Sequence, residues 1–316
     1  MQAAVLHHLG EVPRFESFAD PAVLVGEVLV RVAAAAIKPL DLVIAGGRHH
    51  RSPLTLPSVC GTDGVGYMET GERVYFTGMR APFGAMATFA PAQCVAMIPD
   101  DIDNLTAAAI VSPALAVWLP LRWRADVRPG ETVLIVGATG ALGRMAVQAA
   151  RSLGAGRVIA AGRRQDVLAR LGADAIIDLR LPPTSLHEAF ASHAVDGIDV
   201  VIDFVWGPIA EVLIAALTTS VGHGQRGVRM VSTGDMAGDM IALSGASLRD
   251  SPVALMGSGP GNGPSSRELE SMIETILKHA ADGALRIDAD MVPLADVAQV
   301  WERAAGRERP MVLKVG

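Results

Sequence analysis

Apolar residues change their period partway along the chain. Over residues 1 to about 100 they fall in short extended runs broken by turn residues: 2–8, 28–32, 33–37, 72–76, 85–89 and 94–97. These runs read as strands of a mostly antiparallel, barrel-like unit. Pro39 stops the run at 33–37, and a short helix over 41–45 ends at Gly46-Gly47. The stretch 61–68 is glycine-rich. Pro99 and the acidic residues Asp100, Asp101 and Asp103 mark a boundary. The near-continuous apolar stretch 107–119 reads as a buried helix with Pro113 inside it. From about 122 to 257 strand and helix alternate. Strands are expected at 132–136, 157–161, 175–178, 199–204, 228–232 and 253–256, with a helix over 165–171. Six strands with crossover helices predict a doubly wound parallel sheet. A loop over 257–266, a long amphipathic helix over 267–281 and a terminal strand at 311–315 follow. That last strand is expected to return to the first domain.

The first of the parallel strands leads into the most informative stretch, ETVLIVGATGALGRMAVQAARSL at 131–153. An apolar, β-branched run ends at Gly137. Gly140 and Gly143 follow at a spacing of three, and from Met145 the apolar positions take a helical period. The spacing is G-x-x-G-x-x-G, with Thr139 where G-x-G-x-x-G has its second glycine. A turn of this kind gathers backbone N–H groups at a helix N-terminus, a seat for a pyrophosphate. A tight strand-to-helix turn without a ligand is the alternative. The context of strand, turn, helix and further strand–helix units favours the nucleotide. An NAD site places a carboxylate at the end of the second strand to hold the ribose 2′-hydroxyl. Here that strand runs into Gly162-Arg163-Arg164. Guanidinium groups suit a 2′-phosphate, so NADPH is the expected cofactor; two solvated loop arginines are the alternative.

Composition narrows the function classes. The chain has 316 residues, half of them hydrophobic and few aromatic, which suits close helix–sheet packing. A net charge of −6 with no long basic run argues against bulk nucleic-acid binding and a polybasic membrane anchor. The apolar stretch 107–119, interrupted by Ser112 and Pro113, reads as too short to span a bilayer. The start, MQAAVLHHLG, lacks the charged and apolar regions of a secretory signal. Cys60 and Cys94 are the only cysteines, too few for a disulfide scaffold or a four-thiolate zinc site. A cytoplasmic protein is the expectation.

Longer motifs carry a resemblance. They are VLVRVAAAAIKPLDLVIAGG at 28–47, VCGTDGVGYM at 59–68, GAMATFAPAQCVAMIPD at 84–100, VRPGETVLIVGATGALGRMAVQAARSLGA at 127–155, LGADAIID at 171–178 and DVVIDFVWG at 199–207, with VPLADVAQVWERA and RPMVLKV at the end. With these the chain resembles the medium-chain dehydrogenase/reductase superfamily, and most of all its zinc-free quinone oxidoreductase branch. The resemblance implies an α/β fold with a GroES-like, mostly-β barrel domain (1–121 and 258–316), a Rossmann domain with a doubly wound parallel sheet (122–257) and a cleft between them. Zinc-dependent relatives carry Cys–His where this chain has Lys38-Pro39, and Gly-His-Glu where it has Gly61-Thr62-Asp63. Ammonium, proline and threonine are poor zinc ligands, so no metal is expected.

The resemblance implies an NADPH-dependent, zinc-independent reductase of a quinone or an α,β-unsaturated carbonyl compound. The alternatives are an enoyl thioester reductase of a biosynthetic pathway and a nucleotide-binding module with little catalysis. The expected cofactor residues are Gly137, Ala138, Thr139, Gly140, Ala141, Leu142, Gly143, Gly162, Arg163, Arg164, Phe204, Val205, Ser232, Thr233, Gly257 and Ser258. Hydride transfer needs a donor for the developing oxyanion and a proton source. Lys38 stands where many relatives have Asn in an N-P-x-D pattern, with Asp41 retained. Lys38 is the candidate donor, oriented by Asp41 or Asp63, with His49 or His50 as a proton donor. A surface lysine, a helix-start carboxylate and exposed loop histidines are the plainer alternatives. Tyr67, Trp118 and Cys60 read as packing, and Met236, Met240 and Met256 as core or pocket edge. The usual G-L-T-A-W appears as Ala114-Leu115-Ala116-Val117-Trp118, without its threonine, and the connection 66–71 is short. The resemblance also implies a homodimer through the sixth strand, at 253–256.

Overall fold

The computed structural model describes residues 1–220, 227–259, 263–305 and 309–316. In chain order its strands are β1 (Gln2–Leu6), β2 (Arg14–Ser17), β3 (Val28–Ile37), β4 (Ser58–Val59), β5 (Asp63–Met68), β6 (Arg73–Thr77), β7 (Phe89–Ala92), β8 (Cys94–Met97), β9 (Thr132–Val136), β10 (Arg157–Gly162), β11 (Ala175–Asp178), β12 (Val200–Asp203), β13 (Val228–Ser232), β14 (Val253–Gly257), β15 (Asp290–Pro293) and β16 (Met311–Lys314). The helices used below are α1 (Pro39–Ala45), α2 (Asn104–Trp118), α3 (Ala141–Ser152), α4 (Gln165–Leu168), α5 (Pro183–Val195), α6 (Gly207–Ser220) and, further on, α7 (Gly245–Arg249) and α8 (Ser266–Ala281). The chain divides into two compact units, residues 1–112 with 265–316, and residues 113–264.

The first unit is the barrel-like one. Its seven-stranded sheet runs β15-β16-β3-β5-β6-β8, with β7 also paired to β3, and a three-stranded sheet runs β2-β1-β4. Strand β16 lies antiparallel to β3, so the chain end does return to this unit. Val30, Val32, Val74, Phe76, Met86, Val297, Trp301 and Leu313 fill its core. One stretch gains an element here, and one expectation needs correction. The glycine-rich stretch is a strand, β5. A Cβ on Gly66 would stand 2.4 Å from the Arg31 carbonyl oxygen, and one on Gly64 2.9 Å from that of Ala34. The glycines permit close approach of β3, where the register shifts between Val32 and Ala34. The strand expected at 85–89 reduces to one bridge, Ala3 to Ala87; the strand proper is Phe89–Ala92. Ala85 and Met86 donate instead to the carbonyls of Gly61 and Cys60, at 3.0 and 2.9 Å. Those bonds tie an irregular, buried segment to the 60–61 backbone.

Helix α2 continues through a π-helical stretch, Leu119–Arg124. The helical run Asn104–Arg124 is therefore longer than the sequence suggested, and by length and apolarity it is long enough to cross a membrane. Its apolar side is used within the protein: Ala107, Ala108, Ile110, Val111, Ala114, Val117, Trp118 and Leu121 are buried.

In the second unit six strands lie in the order β11-β10-β9-β12-β13-β14, every pair parallel. Numbered by appearance this is 3-2-1-4-5-6, the order of a doubly wound dinucleotide-binding sheet. The inner strands β9, β10 and β12 are buried on both faces and are largely apolar runs; Phe190, Leu213 and Leu217 from α5 and α6 cover one face. The helix expected over 165–171 is only the single turn α4. Of the loop expected over 257–266, Gly257 closes β14, and residues 260–262 lie outside the described residues.

Candidate functional site

Two constellations stand out, one in each unit. In the second unit, β9 ends at Gly137, whose φ of +89° only glycine adopts freely. The N–H groups of Gly137 and Ala138 both donate to the Ala161 carbonyl, at 2.9 and 2.8 Å, which folds the turn against β10. Gly143 is required by packing: a Cβ there would stand 2.2 Å from the Gly137 carbonyl oxygen. Gly162 is required likewise, because a Cβ would lie 2.5 Å from Thr139 Cγ2. Gly140 differs. Its φ of −75° suits any residue, and a Cβ would come no nearer than 3.4 Å to its one neighbour, the Gly137 carbonyl oxygen. Gly140 is the N-cap of α3, no side chain caps that helix, and Gly140, Ala141 and Leu142 are exposed. Leading N–H groups of a helix have no partner within it, so they are open to an anion.

Around the turn the carboxyl ends of the strands converge. Val205 Cγ2 and Phe204 Cβ are the atoms nearest a Cβ built on Gly137. Asp203, fully buried, accepts from the N–H groups of Val205 and Trp206 at 2.8 and 3.1 Å. This shapes the turn after β12; burial pushes the Asp203 carboxyl up, against those two hydrogen bonds. Thr233 N donates to the Asp203 carbonyl, and Ser258 N to that of Ser232, at 2.8 and 2.9 Å. Arg124 Nε donates to the Gly257 carbonyl at 2.7 Å. The two arginines after β10 diverge in role. Arg164 Nη2 donates to the Thr139 carbonyl at 2.7 Å and so clamps the glycine turn. Arg163 is exposed.

In the first unit α1 starts with a reciprocal cap: the Asp41 side chain accepts from the Lys38 backbone N–H at 2.9 Å, and Pro39 takes the first helical position. This turns Lys38 inward, where it is 7% exposed. Its Nζ lies 3.1 Å from Asp63 Oδ2, 3.3 Å from Asp41 Oδ2 and 3.2 Å from the Ala36 carbonyl oxygen. Burial works against the ammonium, but the two carboxylates outweigh it and raise the Lys38 pKa. Asp41 Oδ1 accepts from Thr62 N and Oγ1 at 3.1 and 3.0 Å. Beside this cluster lies a cavity of about 140 Å³, lined by Asp41, Thr62, Cys60 and Arg51 with Ile44, Met79 and Phe83 among its apolar walls.

No protein-family profile matches the chain. It is 30% identical to quinone oxidoreductase of Sus scrofa over 220 residues, 66% of this chain and 65% of that one. It is also 30% identical over 196 residues to a mycocerosic acid synthase-like polyketide synthase of Mycobacterium tuberculosis, 58% of this chain but 9% of the synthase. The chain thus spans under two thirds of the length of these relatives. A solved mycobacterial quinone oxidoreductase superposes over all of both chains with a TM-score of 0.84 at 21% identity. The Escherichia coli quinone oxidoreductase, solved with NADPH, does so with a TM-score of 0.76 at 23%. These findings support the quinone oxidoreductase branch of the medium-chain dehydrogenase/reductase superfamily, whose fold the chain shares.

Within this quinone oxidoreductase fold the expected site residues part company. Lys38 and Asp41 are joined as described. The contacts of His49 are local: its Nδ1 accepts from Arg51 N at 3.1 Å, and its ring lies on His50 with centroids 4.1 Å apart. Slight burial, His50 and Arg51 hold its pKa down. Tyr67 lies under the Arg31 guanidinium, Trp118 is 2% exposed, and Met236 and Met240 are exposed rather than edging a pocket. Thr62, Tyr75 and the cavity wall were not foreseen as site residues. The available signal was Asp63, a carboxylate placed at the head of an apolar, glycine-spaced strand.

Proposed function

We propose that this protein is an NADPH-dependent, zinc-independent reductase of a quinone or α,β-unsaturated carbonyl compound. The observation that carries the reading is Gly140: a glycine that the fold does not need stands at an uncapped, exposed helix start. Absence of a side chain there serves a ligand that approaches the backbone, and a pyrophosphate fits. The relatives named quinone oxidoreductase and the NADPH complex of the Escherichia coli protein support the same reading. The turn 137–143 would hold the pyrophosphate. Arg163 would meet the 2′-phosphate and Arg164 would keep the turn closed. Phe204, Val205, Ser232, Thr233, Gly257 and Ser258 are proposed to line the rest of the nucleotide. NADPH, when bound, supplies the hydride. An ammonium lodged between Asp41 and Asp63 supports the zinc-independent reading, since a cation already stands beside both carboxyls. With Nζ held by three acceptors, Lys38 serves to fix Asp41 rather than to reach a substrate. The open edge of β14 supports the homodimer reading.

A fluorescence titration tests this directly. NADPH is expected to bind at least tenfold more tightly than NADH, and Arg163→Ala to remove that preference while NADH binding stays unchanged. Equal binding of the two nucleotides would sink the NADPH assignment. The polyketide synthase relative favours a second reading, reduction of an enoyl thioester. An acceptor panel of a benzoquinone, an enone and a crotonyl thioester separates the two by kcat/KM.

A further inference from the structure

In the polar cluster of the first unit one hydroxyl hydrogen, that of Thr62, faces two carboxyl acceptors. Thr62 Oγ1 carries one hydrogen, yet lies 3.0 Å from Asp41 Oδ1 and 3.2 Å from Asp63 Oδ2. With both carboxyls ionised, one of these contacts sets lone pair against lone pair. The two carboxyls are not equivalent. Each oxygen of Asp41 accepts a backbone N–H, from Lys38 and from Thr62, as a carboxylate should. Asp63, 5% exposed, accepts no backbone N–H among the described residues; its buried Oδ1 makes no well-formed hydrogen bond, and the Tyr75 hydroxyl is the donor beside this carboxyl. A proton on Asp63 resolves the count: Asp63 O–H donates to Thr62 Oγ1, and Thr62 donates onward. It also brings the buried set of Lys38, Asp41 and Asp63 to neutrality.

Thr62 alone of this pair lines the cavity. At about 140 Å³, the cavity is close to the engineered apolar cavity of about 150 Å³ that admits benzene. One six-membered ring fits. Asp41 and Thr62 form a polar part of its wall, while Ile44, Met79 and Phe83 supply apolar surface.

We propose that the Thr62 hydroxyl is the proton donor to the oxygen of a single-ring carbonyl compound held in this cavity, with Asp63 as the buried store that replenishes it. The proposal rests on the reductase reading for its chemistry. Hydride from a reduced nicotinamide brings the electron pair to the ring and leaves an oxyanion. The Thr62 O–H bond breaks as the new O–H bond forms on that oxygen. The Asp63 O–H bond breaks as Thr62 regains its hydrogen, and solvent returns a proton to Asp63. Thr62 is thus catalytic, while Asp63 acts through it. Asp41, Lys38 and Tyr75 face Asp63 from α1, from the residue after β3 and from β6. Burial pushes the Asp63 carboxyl up and Asp41 adds to this, while Lys38 and the Tyr75 hydroxyl oppose it; the net direction is up.

The test uses the full chain and does not need turnover. Infrared difference spectra at neutral pH should show the carbonyl stretch of a protonated carboxylic acid that disappears in Asp63→Asn and moves in Thr62→Val. Binding of 4-nitrophenolate should weaken about tenfold in Thr62→Val, the worth of one hydrogen bond to a charged group, and recover in Thr62→Ser. Absence of the acid band in the wild-type protein, or equal 4-nitrophenolate affinity in the wild type and Thr62→Val, would overturn the relay. Should Asp63→Asn fail to fold, the band shift in Thr62→Val decides. If these hold and no acceptor is reduced, the reductase reading fails and the buried proton stands. If turnover is seen, kcat should fall with Thr62→Val and return with Thr62→Ser.

Discussion

Lys38 holds two buried carboxyls within reach of one ammonium. Removing the cation would leave Asp41 with an uncompensated buried charge. Lys38→Met is therefore expected to cost roughly 3–5 kcal/mol of stability, measured by urea unfolding. Asp63→Asn should cost much less at neutral pH, because the folded protein holds Asp63 as the acid. Both cysteines behave as core atoms. Burial pushes the Cys60 thiol far up, and burial with Glu270 pushes Cys94 up to about 11. Since the thiolate is the nucleophile, neither should be alkylated by iodoacetamide at neutral pH in the folded protein, whereas both should react in urea. Mass spectrometry of the labelled chain checks this. The sequence showed Lys38 and Asp41 as neighbours because they sit three apart at a helix start. It hid Thr62 and Tyr75, which reach the same point through the pairing of β5 with β6 and carry no charge to betray them.

Among the elements, the glycine turn offers the sharpest test, because its glycines serve different ends. Gly143→Ala drives a Cβ into the Gly137 carbonyl; the strain is expected to cost roughly 1–3 kcal/mol and nucleotide binding with it. Gly140→Ala should cost no more than about 1 kcal/mol, that of a poorer cap, yet weaken NADPH at least tenfold. Thermal melts paired with NADPH titrations separate these outcomes, and retained binding in Gly140→Ala would remove the argument from that residue. The turn and its parallel strands were legible because a strand covered on both faces must read as an unbroken β-branched run. Strand β5 was not legible. Its glycines answer to the neighbouring backbone of β3, which lies some thirty residues away in sequence and leaves no local mark. The run 85–89 failed for the opposite reason: its apolar pattern is real, but its hydrogen bonds go to the 60–61 backbone and to β1.

For the molecule as a whole, several buried groups make stability fall as pH rises, and Asp63 and Lys38 do so in separate windows. The folded chain holds the Asp63 proton more tightly than the unfolded chain does. Stability therefore declines from the ordinary aspartate value of 3.8 up to the raised folded value, because the unfolded state binds fewer protons there. Lys38 contributes fully below the ordinary lysine value of 10.5 and loses that contribution above it. Urea unfolding across pH should show the first decline shrink in Asp63→Asn, with the part due to Asp203 remaining, and the second shrink in Lys38→Met, with the part due to Cys94 remaining.

The closing strand β16 has a consequence for how the protein is made. A ribosome releases the chain from its N-terminus, and β3 cannot pair with β16 until synthesis has passed residue 314. All of β9 to β14 has left the exit tunnel well before then. The nucleotide unit is therefore the one able to complete its sheet first, while the first unit waits with one flank of β3 unpaired. An exposed strand flank invites pairing with other chains. A chain cut before Met311 would keep that flank open for the life of the protein.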